Sequence, residues 1–346
     1  MAGYNDNPPE VQALSGVLNT FLRWKSLNGP PRGHEQFHPS AFGGCLRRMQ
    51  YQRYAERGEI KVQQEAHEAK TVRIFDTGHA MHARWSKYWE DLGVLRGIWE
   101  CINPCCRLWK DNGSPDPAMM APNADAPNIL TVNEFAKNYP PRKYGLNDKL
   151  GDFKPEKCAC GGTKFHYHEL TVHDDALNFH GHVDQILDFS RFPGSKMFKQ
   201  GNPVKVLFDD ADLPKKPILN DMKSVNSFGF KSKLEHGAPF GYRVQVNIYI
   251  HILDLDYGLL YFENKDDSNT RVIHVERDAA LWEKIKEQAL MMQEMSVDLV
   301  LPPPRPDSKE SYDCRYCEYQ SICHKSDVWK RQDLDNLRRK FYGDFS

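Results

Sequence analysis

The sequence predicts an α/β protein, and three observations carry the prediction. Two apolar-flanked runs, Phe179–Phe189 and Ile218–Val225, have strand character. Tyr257–Asn264 and Thr270–Glu276 read as a further strand pair. Helix-period segments occupy 9–26, 64–92 and 278–295. A chain of 346 residues with 40% apolar content can bury the core of one large or two modest domains.

Composition narrows the function classes. The net charge is −1, so nucleic-acid binding would need a local basic surface rather than a basic chain. No run approaches the roughly 18 apolar residues of a membrane span, and Met1–Asp6 lacks a signal-type apolar region. A cytoplasmic protein without a membrane partner is expected. In a reducing compartment the nine cysteines point to metal where they cluster, rather than to disulfides.

In residues 9–26, Val11, Leu14, Val17, Leu18, Phe21, Leu22 and Trp24 recur at nearly 3.6 residues, and Gly29-Pro30-Pro31 ends the helix. Ser40 is placed to cap a following helix that carries Cys45 near its start, then Arg47, Arg48 and Tyr51. Residues 64–92 give the clearest helical signal, with His82, Trp85 and Trp89 on one face. A histidine on an aromatic face is ordinarily a core residue, and it gains chemical meaning only if acids converge on it.

Residues 100–168 break the periodicity. Cys101, Cys105 and Cys106 stand at one end and Cys158 and Cys160 at the other, in turn-rich settings that suit a structural zinc held by four thiolates. Reduced cysteines in a loop are the alternative.

The acidic motifs follow. Asp184 lies in Gly181-His182-Val183-Asp184, and Asp221 and Lys223 are two apart in Ile218–Val225. Side chains alternate along a strand, so Asp221 and Lys223 share a face. Two acids and a lysine on adjacent strand ends can hold a hard divalent cation and orient a water. Asp209, Asp210 and Asp212 with Pro214 and Pro217 read as a turn. Lys231, Lys233 and Arg243, interleaved with Phe228, Phe230, Phe240 and Tyr242, suit a phosphate backbone with stacked bases. A solvated loop over buried aromatics is the bland counterpart. Residues 242–255 fit both a strand alternation and a helical repeat of Gln245, Tyr249 and Leu253. Leu301–Pro306 is a proline-rich connector.

Cys314, Cys317 and Cys323 form C-x2-C-x5-C, a strong metal signal that is one thiolate short of four. Cys45 is the remaining cysteine outside the middle group, and with it the count suits a four-iron cubane. Zinc is the alternative metal.

Taken in order, Cys45, Gly78-x3-His82, Gly181-x2-Asp184, Asp221-x-Lys223, Gln245-x3-Tyr249 and C-x2-C-x5-C resemble the RecB-like branch of the PD-(D/E)XK nucleases. More narrowly, they resemble its iron–sulfur members: CRISPR-associated exonucleases, the AddB nuclease domain and phage relatives. The resemblance runs from about residue 38 to 325. It implies a restriction-endonuclease-like core, a mixed sheet flanked by helices, and a helix at 242–255. It also implies a Mg²⁺ or Mn²⁺ site on His82, Asp184 and Asp221, Lys223 as the catalytic lysine, and Gln245 and Tyr249 beside the reaction centre placing DNA. Cys45, Cys314, Cys317 and Cys323 would carry a [4Fe–4S] cluster. Asp221 stands where many relatives have Glu, and the compact CRISPR-associated members lack the cysteine-rich segment, which favours a phage or mobile-element relative.

The implied organisation is a helical extension (1–38), a segment with the first cluster ligand and first nuclease motif (39–99), an inserted zinc-ribbon-like module (100–168), the nuclease core (169–300) and a C-terminal iron–sulfur segment with a basic tail (301–346). The expected function is a metal-dependent deoxyribonuclease, an exonuclease on single-stranded DNA ends in phage or bacterial recombination, repair or replication. Two readings compete with it: a DNA-end-binding adaptor, and a nuclease subunit of a helicase–nuclease or CRISPR adaptation complex. No G-x4-G-K-[ST] motif marks a motor in this chain.

Overall fold

The computed structural model describes residues 9–29, 33–61, 66–103, 142–199, 205–232, 234–235, 237–297, 300–304 and 312–323. Cys105, Cys106, Lys233 and the basic tail after 323 lie outside the described residues. In chain order come α1 (Pro9–Asn28), α2 (Pro39–Phe42), α3 (Leu46–Glu56), α4 (Ala69–Asp91), β1 (Leu95–Cys101), β2 (Lys143–Tyr144), β3 (Asp152–Phe153), β4 (Phe165–His168), β5 (Leu170–Asp174), β6 (Phe179–Val183), β7 (Gln185–Leu187) and β8 (Ile218–Val225). Then follow α5 (Ser227–Ser232), α6 (Phe240–Leu253), β9 (Tyr257–Asn264), β10 (Thr270–Glu276), α7 (Ala279–Val297), α8 (Tyr312–Arg315) and α9 (Gln320–Cys323).

The protein is mixed α/β, a central mixed sheet flanked by helices. The sheet runs β10-β9-β8-β7-β1-β2, with β3 and β4 also paired to β1. Strands β8 and β9 are parallel, joined through α5 and α6, while β7 is antiparallel to both β8 and β1. Strands β5 and β6 form a separate antiparallel hairpin.

Helix α6 settles the double pattern at 242–255. Val244, Val246, Ile248 and Ile250 are buried, and so are Gln245, Asn247 and Tyr249. A helix covered nearly all round carries apolar residues on more than one face, which is why the alternation imitates a strand.

Three other expectations change. The run Phe179–Phe189 is two strands, broken at Asp184 where the chain passes from the hairpin into the large sheet. Ser40 lies in the short α2, and the helix bearing Arg47, Arg48 and Tyr51 starts after Cys45, which occupies the cap position without a side-chain cap bond. Strand β1 has no counterpart in the sequence-based expectations, because Gly97 and Glu100 interrupt its apolar run. Its alternating burial nevertheless puts Leu95, Trp99 and Cys101 inside. Strands β2, β3 and β4 pair with it, so the cysteine-rich segment is joined to the main sheet.

Helix α1 buries Leu22 against Ala69 and Val72. Its Leu14, Val17, Leu18, Phe21 and Trp24 stay exposed. At the other end, Tyr319 stacks on Tyr51 of α3 with ring centroids 5.1 Å apart. No helix among the described residues is long and apolar enough to cross a membrane.

Candidate active site

Asp184 sits at the β6–β7 break, where ladder bonding is interrupted and other groups take over. Its carbonyl accepts from the hydroxyl of the half-buried Tyr167 at 2.8 Å, and its Oδ2 accepts the backbone N–H of Met222 on β8 at 2.8 Å. His82 on α4 brings Nδ1 within 3.5 Å of the same Oδ2. The shared face of His82, Trp85 and Trp89 is thus directed at the sheet, where Trp85 packs on Tyr261 of β9 at 4.5 Å.

Asp221 and Lys223 point the same way from β8, with Lys223 Nζ 2.6 Å from Asp221 Oδ2. Gln245 of α6 donates to Asp221 Oδ1 at 3.1 Å. Asp221 is 1% exposed, and beyond its ionic contact with Lys223 the Oδ2 atom has no well-aligned hydrogen bond. Tyr249, one turn along α6, donates to the carbonyl of His182 at 2.9 Å. That bond depends on Gly181: a Cβ there would lie 2.5 Å from the Tyr249 hydroxyl and 3.0 Å from Pro39. A cavity of about 500 Å³ opens beside these groups, walled by His38, His180, His182, Asp184, Gln245 and Tyr249.

Electrostatics divide the acids. Burial works to raise Asp184, but the His82 hydrogen bond, the charges of Lys223 and His82 and the Met222 N–H hold it below the usual carboxylate range. Burial raises Asp221, Lys223 pulls it back and Asp184 raises it again, leaving it at about 6. Lys223 loses by burial and gains more from Asp221 and Asp184, so its ammonium is strengthened. His82 is likewise raised, since the Asp184 contact outweighs burial.

Sequence reasoning missed Glu169. Its carboxylate, His82 and Asp184 offer ligand atoms all within 4.8 Å of one another. Desolvation and then the charge of Asp184 push it up to about 7. Because the side chain is exposed, solvent screens the charge of Asp184 there and weakens both causes of that shift. An acid just ahead of a strand, without a spaced partner, left no signal. Only the pairing of β5 with β6, Leu170 opposite Val183, brings it beside Asp184.

Among the basic positions, Lys231 and Arg243 are exposed, Arg243 lies over the Phe240 ring at 5.6 Å, and Phe228 is 76% exposed. Phe230 is instead packed against the core.

Cys45, Cys314, Cys317 and Cys323 line one cavity of about 380 Å³, together with Arg48, Met49 and Tyr319. Burial pushes the Cys317 thiol up to about 11. Arg48 pairs with Glu318 at 3.0 Å on its rim. Cys101, Cys158 and Cys160 gather separately at the end of β1, all buried.

No family model matches the chain, and no curated protein matches it. A solved structure described as SSO0001 aligns over 90% of this chain and 96% of its own, at 12% identity and a TM-score of 0.39. That likeness is too loose to carry an argument.

Proposed function

We propose that this chain is a divalent-metal-dependent deoxyribonuclease of the RecB-like PD-(D/E)XK kind, acting on single-stranded DNA ends in recombination, repair or replication. The observation that carries the reading is the meeting of His82, Asp184, Asp221 and Lys223, from α4, the β6–β7 break and β8, with Asp184 on the wall of an open cavity. Buried acids and an ammonium cost desolvation energy that a purely structural sheet has no reason to bear.

The donor set suits a hard or borderline divalent ion. It consists of carboxylate oxygens with one imidazole, and Asp221 Oδ2 retains accepting capacity. His82, Asp184 and Asp221 would hold it, with Glu169 as a further carboxylate in reach. When bound, Mg²⁺ or Mn²⁺ supplies Lewis-acid neutralisation of phosphate charge and lowers the pKa of water. The chain's own residues do the rest. Lys223 presents a cation beside the acids, able to orient a water or stabilise the leaving charge. Gln245 fixes Asp221 through Oδ1, and Tyr249 fixes the strand that delivers Asp184. Arg243 and the exposed Phe228 offer charge and a stacking face to a single strand.

The four-cysteine cavity supports an iron–sulfur cluster on Cys45, Cys314, Cys317 and Cys323, since thiols from both ends of the chain border one space. The exposed apolar residues of α1 favour a second reading of the context, a nuclease subunit docked in a larger assembly. The deciding experiment is an assay on end-labelled single- and double-stranded DNA with Mn²⁺, Mg²⁺ or EDTA. Metal-dependent loss of the end label supports the proposal. Full-length DNA under every condition, from protein that still binds it, would leave the adaptor reading.

A further inference from the structure

We infer that Cys101, Cys158 and Cys160 are three corners of a tetrahedral zinc site fastened to the inner end of strand β1, apart from both the acid cavity and the four-cysteine cavity. The inference stands independently of the nuclease reading.

The backbone brings these thiols together from two directions. Cys101 is the last residue of β1 and continues its inward set, Leu95, Trp99 and Cys101. Cys158 and Cys160 belong to a tight turn ahead of β4. Gly161 donates to the Cys158 carbonyl at 2.8 Å, and Cys158 donates to the Gly162 carbonyl at 2.7 Å. Gly161 has φ +83, a conformation other residues adopt only with strain. The turn thereby aims two sulfurs two residues apart at a third, 59 positions away from Cys160.

Their spacing is that of ligands. All three sulfurs lie within 4.8 Å of one another, and Cys101 Sγ is 3.8 Å from Cys160 Sγ. A tetrahedron with zinc–sulfur bonds of about 2.3 Å has sulfur–sulfur edges of about 3.8 Å. A disulfide would need about 2.05 Å between the sulfurs. The residues are 1%, 3% and 8% exposed, so the thiols are shut away from water in an aromatic shell that includes Trp99, Phe165 and Tyr144. Tyr144 donates its hydroxyl to Cys158 Sγ at 3.2 Å, the outer support that stabilises a ligating thiolate. An all-sulfur set selects a thiophilic ion such as Zn²⁺ over Mg²⁺ or Ca²⁺.

The site is placed to act on the main sheet. Cys101 lies opposite Phe165, and Trp99 lies opposite both Tyr144 and Tyr167. At its other end the same strand pairs with β7 through Leu95–Leu187 and Arg96–Ile186, one strand from Asp221 on β8. A metal holding Cys101 to the 158–160 turn therefore fixes one end of a strand whose other end pairs with β7, the strand that follows Asp184.

Metal analysis and thiol mapping of the full chain, purified without chelator, test this. One zinc per chain is expected, with Cys101, Cys158 and Cys160 resisting alkylation until a strong chelator is added. Cobalt exchange should give thiolate-to-metal charge-transfer absorption. Cys101→Ser should lose the zinc, whereas Cys317→Ser should keep it. Alkylation of the three cysteines at equal rates with and without chelator would overturn the site, as would a zinc content in Cys101→Ser equal to that of the unaltered chain. Should Cys101→Ser fail to fold, alkylation of the unaltered chain decides alone.

Discussion

Arg47 donates from Nη2 to the carbonyl oxygen of Cys323 at 2.8 Å, a bond between residues 276 positions apart. Its Nη1 donates to the Pro302 carbonyl at 2.7 Å, and the side chain is fully buried. One guanidinium thus ties the proline connector and the last described helix to α3, whose cap position is Cys45. Replacing it with methionine removes two hydrogen bonds made by a charged donor, at a cost of about 1.5–3 kcal/mol each. Arg47→Met should lower the melting temperature, and hydrogen exchange in 312–323 should rise first. Unchanged exchange there would show that Arg47 does not hold the segment.

The proposed cluster makes a visible prediction. Anaerobically purified protein should be brown, with broad thiolate–iron absorbance. Ala at Cys45, Cys314, Cys317 or Cys323 should each bleach it and destabilise the chain, because closing so long a loop removes unfolded-state entropy. Cys101→Ala and Cys158→Ala should leave the colour. A colourless protein with zinc but no iron would remove the cluster and spare the nuclease proposal.

Asp184→Ala, Asp221→Ala and Lys223→Ala should each reduce cleavage by about a thousandfold or more, with folding and DNA binding largely kept. Glu169→Gln tests the residue that the structure adds. It should weaken cleavage and raise the Mn²⁺ concentration needed for half-maximal rate. Parental rates at limiting Mn²⁺ would exclude Glu169 from the site.

Stability should depend on pH with a definite sign. Asp221 rises from 3.8 to about 6 on folding, Glu169 from 4.5 to about 7, and His82 also rises above its ordinary 6.5. Each binds its proton more tightly when folded. The stability this contributes is complete below the unfolded values and is lost as pH rises through the folded ones. Melts in EDTA should therefore fall between about pH 4 and about pH 7. Mn²⁺, which favours the deprotonated groups, should recover part of the loss at the upper end. Asp221→Asn should flatten the EDTA profile, and an equally steep slope in that variant would assign it to other groups.

Gly181→Ala is a steric probe. Its methyl would meet the Tyr249 hydroxyl at 2.5 Å, costing about 1–3 kcal/mol by overpacking. Tyr249→Phe removes the oxygen and should recover part of that loss in the double variant. Strictly additive effects would show that the two do not press on each other.

Local chemistry was legible in the sequence where spacing is itself geometry. The two-residue separation of Asp221 and Lys223 places both on one face of any strand, and they are ion-paired in β8. The helical period of 64–92 likewise sets His82 and Trp85 on one face, and that face meets the sheet. Tertiary structure decided the rest, because burial and strand pairing depend on partners distant in the chain. The full covering of α6 made a helix look like a strand. Strand β1, with its glycine and glutamate, is recognisable only from the strands on either side of it. Asp184 needed a break between two sheets, and Glu169 needed β5 laid against β6. The cysteines divided into two groups by count and spacing alone, but the closeness of Cys101 to Cys158 and Cys160, and of Cys45 to the C-terminal three across one cavity, was a question of distance, which only the folded chain supplies.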